Sequence, residues 1–169
     1  ALLTASAIGA MAERTSRRWG IVPAGIVASA PVALLLIGAY RDHRVAARLC
    51  AQSGSASRAV VAHVRERAGP GKGVGTVTLV NMPATLHEKG IPVFAFHNGL
   101  PDLVRLASRS TAVADLRRFP LDSAPADIAQ GSLPIERDEL TARAASPQHL
   151  VLLFEDKPFG VRVLDATQP

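Results

Sequence analysis

The sequence is poor in cysteine and in aromatic residues. Of its 169 residues, one is a cysteine, Cys50, and 4% are aromatic. A single cysteine excludes an internal disulfide and a cluster of thiolate metal ligands. The basic stretches lack the interleaved aromatic residues that stack on single-stranded nucleic acid. We therefore expect no nucleic-acid partner.

Positive charge is concentrated in the first part of the chain. Residues 1–100 contain 11 Lys and Arg against 4 Asp and Glu, a net charge of +7, whereas residues 101–169 contain 8 against 10, a net charge of −2. The basic residues of the first part flank an uncharged segment, and arginine beside such a segment is attracted to anionic lipid headgroups. Lipid headgroups are therefore the partner that this charge distribution indicates.

The uncharged segment is residues 20–40, GIVPAGIVASAPVALLLIGAY. A helix of this length, at about 1.5 Å per residue, just crosses a hydrocarbon core of roughly 30 Å. Pro23 and Pro31 are costly inside a soluble helix and are better tolerated in a transmembrane one. Residues that favour a membrane interface stand at both ends of the segment: Arg17, Arg18, Trp19, Tyr40, Arg41 and Arg44. The pattern predicts one transmembrane helix, with a buried core helix as the alternative.

Processing signals offer competing interpretations of the same segment. The stretch SRRW is similar to a twin-arginine signal, and Ala28 to Ala30 are similar to a cleavage site. Cleavage there would leave an apolar terminus, and the arginine before Cys50 fits a lipoprotein signal poorly, so we favour an uncleaved anchor. The apolar residues 1–12 indicate the end of an earlier membrane helix or an interfacial segment, which would put residues 13–19 in the cytoplasm. This predicts a single-pass protein of the bacterial inner membrane with a periplasmic C-terminal domain.

The rest of the chain indicates a helical neck and a small domain. Residues 41–68 have helical apolar spacing, which we expect to be interrupted at 53–57, SGSAS, and to end at the Gly-Pro-Gly of 69–71. Strands are predicted at 76–82 and 92–99, a helix at 100–108 and a hairpin within 149–165. We predict a loop at 83–91, strand or helix at 111–119 and a linker at 120–135. The predicted fold class is α+β: an N-terminal segment (1–19), one transmembrane helix (20–40), a helical neck (41–68) and a small extramembrane α+β domain (69–169).

The stretch GPGKGVGTV at 69–77 invites comparison with phosphate-binding loops. A Walker loop requires a hydroxyl residue after its Gly-Lys and a glycine five residues before it, and it joins a strand to a helix. Here Gly73 follows Lys72, Glu66 takes the earlier position, and a helix precedes a strand. We therefore interpret the stretch as a flexible linker.

Other residue types that can carry chemistry show no matching pattern. The five histidines lack metal-binding spacing, and Cys50 is interpreted as a small apolar helix residue. His87 with Glu88, and His97 with Asn98, are interpreted as loop and turn residues; Asp122 and Asp127 show no paired geometry. We expect no catalytic residue, no metal site and no cofactor.

A resemblance is carried by Val80-Asn81-Met82-Pro83 and by Phe94-Ala95-Phe96-His97-Asn98-Gly99-Leu100. From about residue 17 to 106, the chain resembles the C-terminal tail of bacterial polytopic membrane proteins related to glycosyltransferases that use lipid-linked sugars. In that family the catalytic acidic residue lies far upstream of this tail. The resemblance thus implies a tail domain without catalysis.

These observations predict a non-enzymatic, membrane-anchored accessory subunit of a bacterial multi-subunit membrane complex, of the energy-converting (respiratory or photosynthetic) kind. Its expected partners are other integral membrane subunits. Small residues would allow a partner helix to approach closely: Ala24, Gly25, Ala28, Ser29 and Ala30. The alternative is a C-terminal fragment of a polytopic glycosyltransferase-like protein.

Overall fold

The computed structural model describes Ala10, Glu13 and residues 21–96, 99–122, 124–156 and 158–165; within 21–28 it describes the backbone. The chain divides into two compact units, Ala1–Val45 and Ala46–Pro169. Each unit is considered by itself below.

Helix α1, Ile21–Arg67, is the longest element. The predicted interruption at residues 53–57 is wrong, because the helix continues through it. Ser57 donates its hydroxyl to the Ser53 carbonyl oxygen at 3.0 Å, which satisfies the hydroxyl within the helix. The predicted end of the helix is confirmed, since α1 stops just before Gly69 and Pro70.

The prediction of a transmembrane helix at residues 20–40 is wrong. No helix among the described residues is long and apolar enough to cross a membrane. The prediction rests on the absence of charge, which by itself does not make a helix a membrane span. Arg41, Asp42 and Arg44 follow in the same helix. The single-pass placement in the bacterial inner membrane and the periplasmic placement of the domain are wrong for the same reason.

The second unit is built on a mixed five-stranded sheet, in agreement with the predicted α+β composition. Its strand order is β5-β4-β1-β6-β7. The strands are β1 (Thr76–Val80), β4 (Val113–Arg118), β5 (Leu133–Pro134), β6 (His149–Asp156) and β7 (Phe159–Val163). Neighbours pair in parallel except β6 and β7, which form the predicted antiparallel hairpin. Val80 at the end of β1 lies opposite Arg117 and Leu153.

Two short helices connect these strands. Helix α2, Leu100–Ala107, lies between β1 and β4 in the chain, and α3, Arg137–Ala145, lies between β5 and β6. Leu140 of α3 belongs to a buried cluster with Val80, Val151 and Leu153, which alternate along their strands and therefore share one face of the sheet. The opposite face carries other buried side chains: Val77, Leu79, Leu150, Leu152 and Phe154.

The opposite face is covered by the remaining buried helical residues. Helix α1 has a buried stripe at four-residue spacing, Ala56, Val60, Val64, with Ala68 directly after the helix. Helix α2 buries Leu100, Val104 and Ala107. Because α3 occupies the first face, we infer that α1 and α2 pack on the second, which gives three layers.

A second, small hairpin lies where a loop is predicted. Strands β2 (Thr85–Glu88) and β3 (Ile91–Phe94) pair antiparallel, so the loop predicted at 83–91 is wrong over β2. The turn between them uses Lys89 and Gly90, both with positive φ (51° and 79°). Two residues in left-handed conformation are typical of the tight turns that connect hairpin strands. The ambiguous segment at 111–119 contains strand β4.

Candidate functional site

The residues predicted to pack against a partner helix lie in α1. Ser29 and Ala30 are exposed. Ala24, Gly25 and Ala28 lie in the helix backbone, and their side chains are outside the described residues. Their packing role stays a prediction.

The residues predicted at a membrane interface are partly described. Arg17, Arg18 and Trp19 lie outside the described residues. Tyr40, Arg41 and Arg44 are exposed on α1, and the Arg44 guanidinium carbon lies 5.7 Å from the centroid of the Tyr40 ring. A cation over an aromatic face is favourable by about 0.5–1 kcal/mol at exposed sites. The interface role loses its basis with the predicted transmembrane helix, and the pair accounts for Tyr40 and Arg44 within the helix itself.

The histidines and acidic residues are spread over the second unit and α1. Within the part of the chain that the structure describes, no group of three His, Cys, Asp or Glu could hold a metal ion. Glu88 forms an ion pair with Arg48 of α1 and not a pair with His87. His149 at the start of β6 has a buried Nδ1 without a hydrogen-bond partner among the described atoms. Cys50 is exposed rather than packed, and His97 and Asn98 lie outside the described residues.

The glycine stretch lies at the base of the second unit, where α1 and α2 end. Gly71 and Gly73 have φ of +80° and +75°, and Lys72 lines a cleft of about 540 Å³ with Arg65 and Arg109. Helix C-termini carry partial negative charge that cations offset. The three cations therefore have a structural explanation at this position. The structure gives the stretch a defined turn, with the Lys72 amide donating to the Gly69 carbonyl oxygen at 3.1 Å.

An ion network for which the sequence carries no local motif connects α3 to the middle of the sheet. Asp115 of β4 accepts hydrogen bonds from Arg117 Nε at 2.9 and 3.0 Å and is also paired with Arg143 of α3. Arg143 also donates to the buried Thr78 Oγ1 at 3.1 Å and pairs with Glu139 at 2.8 Å. These residues are far apart in the sequence, so spacing gave no signal of their contact.

The charges of this network shift the pKa values of two of its members. Partial burial raises the pKa of Asp115, but the hydrogen bonds and charges of Arg143 and Arg117 outweigh it, so the pKa falls below its ordinary value of 3.8. Burial likewise lowers the pKa of Arg143, and the hydrogen bond and charge of Asp115 more than reverse this. Both shifts stabilise the charged forms, so the network holds fixed charges at neutral pH.

The carboxyl edge of the parallel strands is where ligand sites form in open α/β sheets. At this edge Asn81 directly follows β1 and is fully buried, with φ of 56°. Its side-chain amide donates to the Phe119 carbonyl oxygen at 2.9 Å and accepts from the Phe119 amide at 2.8 Å. Both polar atoms of the Asn81 side chain are therefore used to join the ends of β1 and β4, and they hold the backbone of Phe119 in place.

A largely apolar cleft of about 140 Å³ lies beside this edge, on the α3 face of the sheet. Its apolar walls are Phe119, Leu121, Leu140, Ala144, Leu153 and Leu164. Arg137, Thr141, Arg162 and Asp165 complete the lining. This site has no local sequence motif, because its apolar walls come from α3, β6 and the segments that directly follow β4 and β7.

The first unit contains a different feature, an exposed apolar stretch of α1. Val32, Leu34, Leu35, Leu36, Ile37 and Tyr40 are between 45% and 71% exposed. Successive helical residues are rotated by about 100°. These six residues therefore point to every side of the helix.

Comparisons with known proteins identified no relative of this chain. No protein-family model, no curated protein and no solved structure matches the chain. The resemblance to the tails of lipid-linked-sugar glycosyltransferases therefore stays a prediction.

Proposed function

We propose that this protein is a non-enzymatic accessory subunit that stabilises a multi-subunit assembly. In this proposal residues 32–40 of α1 pack against helices of other subunits, and the second unit supplies further surface contacts. The exposed apolar stretch is the observation that supports it. Contiguous exposed apolar surface of this kind marks an interaction site.

The distribution of the stretch around the helix indicates what covers it. A surface helix of a globular protein is apolar along one stripe, whereas a helix that is apolar on all sides belongs inside a larger body. A single second copy would cover one side and leave Leu34 or Leu36 in water. Several partner helices cover all sides, which favours an assembly of different subunits over a homodimer.

Small residues in the same stretch favour close helix packing. Ala33, Gly38 and Ala39 lie between the large apolar residues. Apart from the neighbouring backbone of α1 itself, no described atom lies within 4 Å of the position of a Cβ at Gly38. Such positions let a neighbouring backbone approach closely. The space around Gly38 is available to a partner.

The arrangement of the second unit supports a non-enzymatic role. At the carboxyl edge of the sheet, Asn81 is committed to backbone hydrogen bonds. The one carboxylate with a shifted pKa among the described residues, Asp115, is held charged by two arginines rather than poised near neutral pH. General acid and base groups work best with pKa values near the operating pH.

Site-specific photo-crosslinking of the full chain in its native host tests the proposal. A benzophenone amino acid is placed in turn at positions 34, 35, 36 and 37, and at the exposed Ala62 as the matched control on the same helix. We expect adducts from all four positions with the same few polypeptides, in fixed stoichiometry, and none from position 62. Mass spectrometry of the adducts identifies the assembly, which we propose to be of the energy-converting kind.

Charged substitutions in the apolar stretch provide a second test of the proposal. The double variant Leu35→Glu and Leu36→Glu should lose the crosslinked subunits on purification, whereas Ala62→Glu should retain them. Adducts with lipid or detergent alone, or a native mass equal to one chain before and after the substitutions, would contradict the proposal.

A further inference from the structure

We propose that the cleft between α3 and the β6–β7 hairpin binds a small apolar carboxylate, such as a substituted benzoate. This site contains no residue of the apolar stretch of α1, so the binding proposal can be tested independently of the proposed function. The proposal rests on the size of the cleft, the charge at its rim and its position at the sheet edge.

The size of the cleft matches one ring. Its volume of about 140 Å³ is close to that of a cavity of roughly 150 Å³, lined by Leu, Ile and Phe, that binds benzene. Leu140, Leu153 and Leu164 are buried residues of the cluster that forms its floor, and Phe119 and Leu121 are only partly buried beside them. A ring placed here would cover the exposed parts of Phe119 and Leu121, which is favourable at about 25 cal/mol per Å².

The charged residues at the rim of the cleft determine which sign of charge the ligand should carry. Arg162 is occupied by Glu155, through Nε at 3.1 Å and Nη2 at 3.2 Å. Asp165 is occupied by Arg67 at 3.0 Å. Arg137, the first residue of α3, is exposed and makes no side-chain hydrogen bond or ion pair with any described residue. The one uncompensated charge at this rim, within the described part of the chain, is therefore positive.

Guanidinium geometry suits a carboxylate in particular. Its planar fork can donate two parallel hydrogen bonds to the two oxygens, and such bonds are roughly twice as strong as neutral ones. A flat carboxylate attached directly to a ring places the charge near Arg137 while the ring occupies the cleft. A neutral ring of the same size would lose this contact.

The position of the cleft agrees with the general location of ligand sites in α/β sheets. In the sheet, β4 and β6 lie on opposite sides of β1. The chain passes first from β1 to β4, and later through α3 to β6. Ligands bind outside the carboxyl ends of the strands where the strand order reverses in this way. Val80 and Leu153, paired at the end of β1, mark this point, and Leu153 lines the cleft.

Ligand-observed fluorine NMR of the full chain with 4-fluorobenzoate tests the proposal. We expect saturable binding, and weaker binding of the neutral probe 4-fluorobenzamide. Arg137→Gln should weaken the binding of 4-fluorobenzoate by about tenfold, as loss of a charged hydrogen bond predicts, and should leave the benzamide unaffected. Arg58→Gln, an exposed arginine of α1 outside the cleft, is the matched control and should change nothing.

Two further variants close the cleft. Ala144→Leu fills the cleft from the last turn of α3, where the side chain is partly buried. Thr141→Phe fills it from the exposed rim, where a larger side chain does not displace core residues. Both should abolish binding. The fold is checked by circular dichroism, and Thr141→Phe keeps the test informative if Ala144→Leu unfolds the unit. Absence of saturable binding, or binding that persists in both Arg137→Gln and Thr141→Phe, overturns the proposal.

Discussion

The side chain of Asn81 makes the two hydrogen bonds with the Phe119 backbone that a residue of a neighbouring strand would otherwise make. Its amide nitrogen donates to the Phe119 carbonyl oxygen at 2.9 Å, and its oxygen accepts from the Phe119 amide at 2.8 Å. The Asn81 backbone amide also donates to the Arg117 carbonyl oxygen, at 2.9 Å. The pairing of β1 with β4 is thus extended by a side chain after β1 has ended, and Phe119 is held where it forms a wall of the apolar cleft.

Asn81→Ala should destabilise the fold by about 3 kcal/mol, because it leaves two backbone groups of Phe119 unsatisfied at about 1–3 kcal/mol each when buried. The measurement is the free energy of unfolding in urea. Alanine also tolerates the left-handed φ of 56° poorly. Asn81→Gly removes that second cost and should be less destabilising by about 1 kcal/mol. A loss below about 0.5 kcal/mol in the alanine variant would show that water replaces the amide at no cost, and would contradict the structural role given to Asn81.

Asp115 should make stability depend on pH in the acid range. Its folded pKa is below 3.8, so the unfolded state binds a proton more readily than the folded one. The contribution of Asp115 is therefore complete above the unfolded pKa and is lost as pH falls through the folded pKa. We expect the free energy of unfolding to decline below about pH 4, and to decline less steeply in Asp115→Asn, as measured by urea unfolding at a series of pH values.

At neutral pH Asp115→Asn should cost about 2 kcal/mol, because it leaves two partly buried arginines without their carboxylate. Glu139→Gln is the matched control on the same guanidinium. Glu139 is 46% exposed and pairs with Arg143 along α3, so its loss should cost about 0.5 kcal/mol or less. Equal effects of the two variants, or an unchanged acid slope in Asp115→Asn, would refute the role given to Asp115.

Gly99 should resist substitution for a conformational reason. It precedes α2 with φ of 91° and ψ of 4°, although a Cβ at this position would meet no described atom within 4 Å other than those of its chain neighbours. Gly99→Ala should therefore cost about 1–2 kcal/mol through backbone strain alone. The control is Gly160→Ala in β7, where space is equally open and φ is not positive; it should be neutral or stabilising by up to about 1 kcal/mol. Thermal unfolding of both variants measures the difference, and equal midpoints would contradict this account.

The parts of the fold that could be predicted from the sequence are those with a local signal. The end of α1 at Gly69-Pro70, helix α2 with Pro101 in its first turn, and the β6–β7 hairpin each follow from neighbouring residues. Helix α3 has no amphipathic pattern from which it could be predicted, because its residues are mostly polar and it buries Leu140 alone. The packing of Leu140 against Val151 and Leu153 stabilises the helix, and such a tertiary contact cannot be predicted from hydrophobic periodicity in the sequence.

The candidate site could not be predicted because its residues meet only in the folded chain. Arg137, Phe119 and Leu164 come from different elements. Asn81 carries part of the family resemblance, but nothing in the sequence indicates that its side-chain amide binds the Phe119 backbone. The absence of charge at 20–40 was a local signal too, and it led to a transmembrane prediction that the described part of α1 does not support.

Phe154 and Phe159 pair across the β6–β7 hairpin, with ring centroids 5.1 Å apart and planes at 87°. Phe154 is fully buried and Phe159 is partly buried, so Phe154→Ala should cost about 3–5 kcal/mol and Phe159→Ala clearly less. A double-mutant cycle with leucine at both positions isolates the edge-to-face contact, and we expect a coupling energy of about 0.5–1.5 kcal/mol. Urea unfolding of the four proteins gives this value. A coupling energy near zero would mean that the rings stabilise the hairpin through burial alone, since the area lost at each position is counted in the single variants.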